Sequence, residues 1–173
     1  MSYKWKYETP KEYTDIIMHS DGESLTGLYF EGSKDLLKHE KNCKEENLPI
    51  FQETSKWLDT YFMGKAPEFI PKYKISNLTN FRKEVIDIMN TIPFGKTISY
   101  NDIAKIIAKR HGIEKMSAQA VGGAVGWNPI CIIIPCHRVI GTNRALTGYG
   151  GGIKNKKALL IHEGNDISKF TLK

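Results

Sequence analysis

The stretch from Asn128 to Val139, NPICIIIPCHRV, constrains this chain more than any other. Its centre, Ile130 to Ile134, is a short apolar run rich in β-branched residues, with Pro129 before it and Pro135 after it. Such a run predicts a buried, strand-like element. Directly behind it stand Cys136, His137 and Arg138. A buried thiol is a poor nucleophile until it becomes a thiolate, and a nearby imidazole can take its proton. Consecutive residues of an extended chain point to opposite sides, so the pair needs a bridging water or a tight turn to cooperate. For a cysteine taken alone, a structural role in a core is the bland alternative.

The rest of the chain divides into two parts. In residues 1–78, the runs 4–9, 13–19 and 24–30 are rich in aromatic and β-branched residues, and Asp21-Gly22 signals a hairpin turn between the second and third. Residues 34–48 are charged and irregular and read as loop. From Ile50 to Met63 the apolar residues fall near helical spacing, and Gly64 ends the helix. Pro67 and Pro71 mark a linker that runs to about Asn77. Residues 79–173 open with Thr79 or Asn80 as an N-cap to a helix carrying Phe81, Val85, Ile88 and Met89. Ser99 caps the next helix, with Asp102 in the capping-box position, and His111-Gly112 ends it. Ser117 caps a third helix over 118–125, built almost wholly from small residues. Two helices joined by a short Gly-containing turn resemble a helix-turn-helix, although most such pairs are only core packing. The expectation is an α+β N-terminal domain with a small antiparallel sheet and a helix, then a mainly α-helical domain with a helix-turn-helix.

Charge supports a nucleic-acid partner. Residues 1–78 hold 11 Lys and no Arg against 13 Asp and Glu, whereas residues 79–173 hold 14 Lys and Arg against 6 acids. The second part therefore carries the whole positive excess, as a chain that meets a polyanion would. A basic solvated surface is the plain alternative. A hydrophobic content of 40% suits a soluble globular protein, and no stretch reaches the apolar length of a membrane span. The first ten residues lack a signal-peptide core, so the expected location is the cytoplasm. Cys43, Cys131 and Cys136 are odd in number and irregular in spacing, which fits neither a disulfide framework nor a zinc site.

Taken together, Ser117-Ala118-Gln119-Ala120-Val121-Gly122-Gly123-Ala124, Asn128-Pro129, Pro135-Cys136-His137-Arg138-Val139, Gly148-Tyr149-Gly150-Gly151-Gly152, Leu159-Leu160 and His162-Glu163-Gly164 closely resemble the O(6)-alkylguanine-DNA alkyltransferases, also called methylated-DNA–protein-cysteine methyltransferases. The resemblance runs from about Asn80 to Gly164. The N-terminal half matches in size and coarse layout only; in this family that half is RNase H-like and the second is winged-helix-like. The implied activity is DNA repair by direct reversal: a single-turnover transfer of an alkyl group from O(6)-alkylguanine, or O(4)-alkylthymine, in double-stranded DNA. The base is flipped out of the duplex. The resemblance implies a monomer with no cofactor, no metal and no obligatory protein partner.

It also implies roles. Cys136 is the alkyl acceptor, His137 its general base through a water, and Glu163 the acid that orients His137. Asn128 holds backbone turns beside the site, and Tyr100 donates to the departing guanine. Leu146, Tyr149 and Gly150 belong to the loop over the base, supported by Lys156, and Val125 joins them in binding substrate. Ser117, Ala118, Gln119, Ala120 and Gly122 belong to the DNA-recognition helix. The charge split, apart from the resemblance, offers Lys105, Lys109, Arg110, Lys115 and Arg138 as further DNA contacts. Taken singly, Tyr100 reads equally as a core or capping aromatic, Glu163 as helix surface and 148–152 as an ordinary turn. Many members carry an intercalating arginine where this chain has Gln119, and Trp127 stands where smaller or polar residues are common. A non-enzymatic helix-turn-helix binder would explain the charge but not Cys136, His137 and Glu163 together. A cysteine hydrolase would turn over repeatedly.

Overall fold

The computed structural model describes residues 1–34 and 42–172. Its first part is a hairpin extended at one edge. Strands β1 (Ser2–Tyr7), β2 (Ile16–Ser20) and β3 (Leu25–Phe30) pair antiparallel in the order β3-β2-β1. The turn between β2 and β3 is made by short polar side chains. Asp21 accepts from the amides of Glu23 and Ser24 at 3.0 and 2.9 Å, and Ser20 Oγ accepts from Gly22 N at 2.9 Å. β2 is hydrogen-bonded on both edges, and all five of its residues are buried.

The sheet is not purely antiparallel. Cys43–Glu45 forms a three-residue edge strand, β4, that pairs with β1 in parallel. This corrects the loop reading of 34–48, of which residues 35–41 lie outside the described residues. Three polar residues pairing on one side only leave no alternating pattern to read.

Helix α1 (Pro49–Phe62) buries Ile50, Phe51, Thr54, Trp57, Leu58 and Tyr61 along one face, with proline at its first turn. Gly64 follows it with φ +84°. The linker beyond is strapped to the sheet: Leu25 N donates to Lys72 O and Lys74 N to Leu25 O. Helices α2 (Asn80–Met89), α3 (Tyr100–His111) and α4 (Ala118–Gly126) then start at Thr79, Ser99 and Ser117, each accepting from an amide of its own first turn. Ser99 and Asp102 close a reciprocal capping box, and Gly112 ends α3 in the left-handed region. Helix α3 packs on α4, and α2 packs on both.

Two pairs of short strands and a last helix complete the frame. β5 (Ile98–Ser99) pairs in parallel with β6 (Val139–Ile140), and β7 (Ala145–Leu146) pairs with β8 (Thr171–Leu172). Helix α5 (Ile153–His162) lies between them in the chain. One apolar core runs from Ile16 and Phe30 through Trp57 and Tyr61 to Ile103, Val121 and Leu159. The parts before and after residue 78 therefore share their interior. Among the described residues no helix is long and apolar enough to cross a membrane.

Candidate active site

The run Ile130–Ile134 is buried as expected, but it is not a strand. Only Ile130 bridges, to Leu28, and the chain then coils into a tight turn with Ile132 at φ +68°. A β-branched residue in the left-handed region is strained and needs its surroundings to hold it there. Asn128, itself 4% exposed, supplies the hold: Nδ2 donates to Ile134 O at 2.9 Å and Ile130 O at 3.3 Å, and Oδ1 accepts from Ile130 N at 3.0 Å. The edge of β3 completes it, since Leu28 N donates to Pro129 O and Cys131 N to Leu28 O. Backbone groups that a strand would pair laterally are satisfied locally instead.

Past Pro135, Cys136–Arg138 forms one 3-10 turn. It is the tight turn that a neighbouring Cys-His pair requires. Cys136 is 6% exposed and His137 fully buried. Glu163, at the end of α5, receives the turn. Its Oε2 accepts from His137 Nε2 at 2.5 Å, Tyr61 Oη at 2.7 Å and Arg138 Nη2 at 3.2 Å. Its Oε1 accepts from Arg138 Nε at 2.7 Å and Gly95 N at 3.0 Å. Position 95 must be glycine: φ is +82°, and a Cβ would stand 2.9 Å from Glu163 O.

Burial alone would raise the Glu163 carboxyl, but His137 and Arg138 outweigh it and hold the group well below the ordinary carboxylate range. Burial pushes the His137 imidazole down, against the pull of Glu163, and the cations Arg138 and Lys156 push the same way. The pair therefore rests as neutral imidazole and carboxylate. Nε2 must then carry the proton it donates to Glu163. Nδ1, buried and without a hydrogen-bond partner among the described residues, is left as the basic nitrogen.

A cavity of about 580 Å³ opens over Cys136. Its walls include the first turns of α3 and α4 (Tyr100, Gln119), the buried turn (Asn128, Cys131), Gly141 and Thr142, the 147–151 loop, and Tyr29 of β3 with Ser33 just beyond that strand. Lys156 anchors the loop from below, donating to Val139 O at 2.7 Å and Thr147 O at 3.1 Å. Burial lowers its ammonium to about 8. Tyr100 Oη reaches Thr147 O at 3.5 Å. Gly151 lets the loop lie on Phe30, because a Cβ there would stand 2.6 Å from that ring. The Cys136 thiol is drawn down, first by the Cys131 thiol, then, against burial, by Asn128 and the charge of Lys156.

The structure thus gathers Cys136, Asn128, Tyr100, Tyr149, Gly150, Val125, Gln119, Ala118 and Gly122 around one cavity, with His137, Glu163 and Lys156 behind its wall. Ser117 and Ala120 lie exposed on the outer side of the first turn of α4, where Ser117 Oγ caps Ala120 N. Two expected residues fall elsewhere. Leu146 does not line the cavity: it is 1% exposed in a small separate core with Ile140, Leu160 and Phe170. Arg138 is not free to contact DNA, because Glu163 and the Ile92 carbonyl at 2.7 Å take its guanidinium and leave its side chain 12% exposed. Trp127 is capped by the Arg82 guanidinium, 4.0 Å from its ring centroid. Sequence reasoning missed Tyr61 and Gly95 as partners of Glu163. Tyr61 looks like any other member of the apolar face of α1, and nothing local marks it as a carboxylate's donor.

Comparison with known proteins agrees with this arrangement. Residues 80–165 match the family model described as 6-O-methylguanine DNA methyltransferase, DNA binding domain. The chain is 36% identical over 151 residues to the methylated-DNA–protein-cysteine methyltransferase of Haemophilus influenzae, covering 87% of this chain and 81% of that one. It is 38% identical over 150 residues to that of Methanosarcina acetivorans, covering 87% and 92%. The Mycobacterium tuberculosis O6-methylguanine methyltransferase superposes with a TM-score of 0.76 at 35% identity, over 94% of this chain and 93% of that one. M. tuberculosis OGT in complex with DNA gives 0.76 at 34%, over 98% and 94%. A thiol and a His-Glu pair beneath a cavity make a cysteine-dependent site, and the relatives at 36% and 38% identity are transferases. The chain belongs to the methylated-DNA–protein-cysteine methyltransferase family.

Proposed function

We propose that this protein repairs alkylated DNA by direct reversal, taking the alkyl group of O(6)-alkylguanine, or of O(4)-alkylthymine, onto Cys136. The observation that carries the reading is the acceptor's position: Cys136 lines the cavity while the His137–Glu163 pair lies buried behind it. His137 Nδ1 takes the thiol proton through a bridging water. The Cys136 sulfur then attacks the alkyl carbon, an S–C bond forms, and the C–O(6) bond breaks with its electron pair going to the base. Tyr100 donates a hydrogen bond or proton to that leaving group. No side chain of the cavity can hydrolyse the thioether, so the protein is spent after one event. No cofactor enters this scheme.

Substrate entry follows from the same cavity. A paired base cannot reach a thiol that is 6% exposed, so the base must leave the stack. The α3–α4 pair serves as the helix-turn-helix, with Ser117, Ala118, Ala120 and Gly122 at the DNA surface. Small residues there let the backbone approach the groove. Gln119 is exposed at the cavity mouth and is the side chain of that turn long enough to fill the gap in the duplex. Trp127, stacked under Arg82, is already engaged within the protein. The protein acts as a monomer on double-stranded DNA.

The test is label transfer. Duplex DNA carrying O(6)-methylguanine with a radiolabelled methyl group should pass the label to wild-type protein and none to Cys136→Ala. Label that stays in the DNA, or appears as free methanol, would contradict the proposal.

A further inference from the structure

The cavity holds a second sulfur. Cys131 lines it together with Cys136, and both are 6% exposed. The buried turn places them there. Asn128 clamps the carbonyls of Ile130 and Ile134 on either side of Cys131, Ile133 N donates back to Cys131 O at 2.8 Å, and Cys136 N donates to Ile134 O at 2.8 Å. The left-handed Ile132 folds the chain back between the two cysteines. Cys131 N is tied to Leu28 O at 3.0 Å, so the sheet fixes one cysteine while the 3-10 turn fixes the other. Neither is part of a disulfide.

We propose that Cys131 is a partner thiol for the acceptor: its S–H donates to the Cys136 sulfur and helps hold the negative charge of the attacking thiolate. This rests on Cys136 being the acceptor. A thiolate at the floor of an apolar cavity has lost most of its water, so each remaining donor matters more than it would at a surface. The groups that face Cys136 are few. Asn128 sits on the same turn, but its amide is committed to two backbone carbonyls. Tyr100 on α3 has its hydroxyl toward Thr147 O. Tyr149 in the covering loop has its buried hydroxyl beside both thiols, and it adds a smaller pull in the same direction on Cys136. Lys156 on α5 adds positive charge from beneath while bonding two carbonyls. His137 adjoins the cysteine, with Glu163 behind it. Cys131 heads the influences that draw the Cys136 thiol down. Two such neighbouring thiols cannot both ionise cheaply, so the pair shares one charge and Cys131 keeps its proton as Cys136 loses its own. The roles cannot be exchanged, because the His137–Glu163 pair belongs to the turn that carries Cys136.

The experiment is the pH profile of single-turnover alkyl transfer between about pH 5 and 9 for wild type, Cys131→Ala and Cys131→Ser, with the Cys136 thiolate titrated by its absorbance in the same folded proteins. Cys131→Ala should move the thiolate break upward by about one pH unit, so that transfer is roughly tenfold slower below the break and equal to wild type on the alkaline plateau. Cys131→Ser keeps a donor of similar size and should keep the break near its wild-type position. A break that stays put in folded Cys131→Ala, with or without a uniform drop in rate, would overturn the proposal and leave Cys131 a packing residue. Failure of the underlying reading looks different: Cys136→Ala, run alongside, would then still accept the alkyl group.

Discussion

The β2–β3 hairpin and the turn from Asn128 to Arg138 are both buried and apolar, yet they are held by different means. In the hairpin, backbone groups bond to one another from Ile16↔Phe30 to Ser20↔Leu25, and side chains bond the backbone only at the exposed turn, through Ser20 and Asp21. In and around the turn, side chains add to the local backbone bonds: Asn128 donates to the Ile130 and Ile134 carbonyls, and next to the turn Lys156 holds the Val139 carbonyl and Arg138 that of Ile92. Glu163 alone gathers donors from Tyr61, Gly95, His137 and Arg138. Regular pairing spreads its hold over many equivalent bonds. An irregular backbone concentrates it in a few polar groups, and those groups surround the reacting sulfur. Changes of similar size should therefore have very different consequences in the two regions.

The largest effect is expected at Glu163. Glu163→Gln removes the charge that orients His137 and leaves Arg138 buried without its counter-ion. Single-turnover transfer should fall by roughly two to four orders of magnitude, and urea unfolding should show a loss of about 3–5 kcal/mol. Near-wild-type transfer in folded protein would rule the relay out. Next comes Asn128→Ala, which orphans the Ile130 amide and takes the side-chain donor from two buried carbonyls that keep one backbone donor each. It should cost about 3 kcal/mol and slow transfer by displacing Cys136. A loss no larger than that of an ordinary surface change would mean that the turn holds itself.

A third expectation concerns pH. His137 has its folded-state pKa below the ordinary value of 6.5, and Glu163 has its own below 4.5. In both cases the unfolded chain binds the proton more readily, so stability rises with pH and is lost on acidification. The contribution of His137 should be present above about pH 6.5 and fade below it. That of Glu163 should be present above about 4.5 and fade below it. Urea midpoints measured across this range should fall in those two stages, and Glu163→Gln should lack the second. A flat profile would contradict the assigned charge states. The smallest effect belongs to the hairpin: Ile16→Val should cost about 1 kcal/mol and leave the transfer rate unchanged. A large drop in transfer would show that the sheet and the site are coupled more tightly than their bonding implies.

The same contrast explains what could be read in advance. Thr79, Ser99 and Ser117 announced their helices because a cap is a local bargain between one side chain and amides two or three residues on. The hairpin was legible for the same reason. The turn was not, because apolar composition marks burial and not backbone shape. What makes Ile132 left-handed is Asn128 together with a strand about 100 residues earlier in the chain. Cys136, His137 and Glu163 could be named through the family resemblance. The partners of Glu163 could not, since Tyr61 is 102 residues away and Gly95 is 68. Arg138 misled because an arginine in a basic half of a chain looks like a phosphate contact, and its neighbour's carboxylate is invisible until the chain has folded. Leu146 misled because the loop that follows it lines the cavity while its own side chain turns into a second core.

The central claim is that Cys136 is a stoichiometric acceptor, and intact mass with peptide mapping tests it most directly. The protein is incubated with excess duplex containing O(6)-methylguanine, and the number and position of added methyl groups are read at completion. The account predicts one methyl group per chain, on the peptide carrying Cys136, with the excess DNA left unrepaired. Methylation of Cys43 or Cys131, or continued repair after each chain has been modified once, would contradict it.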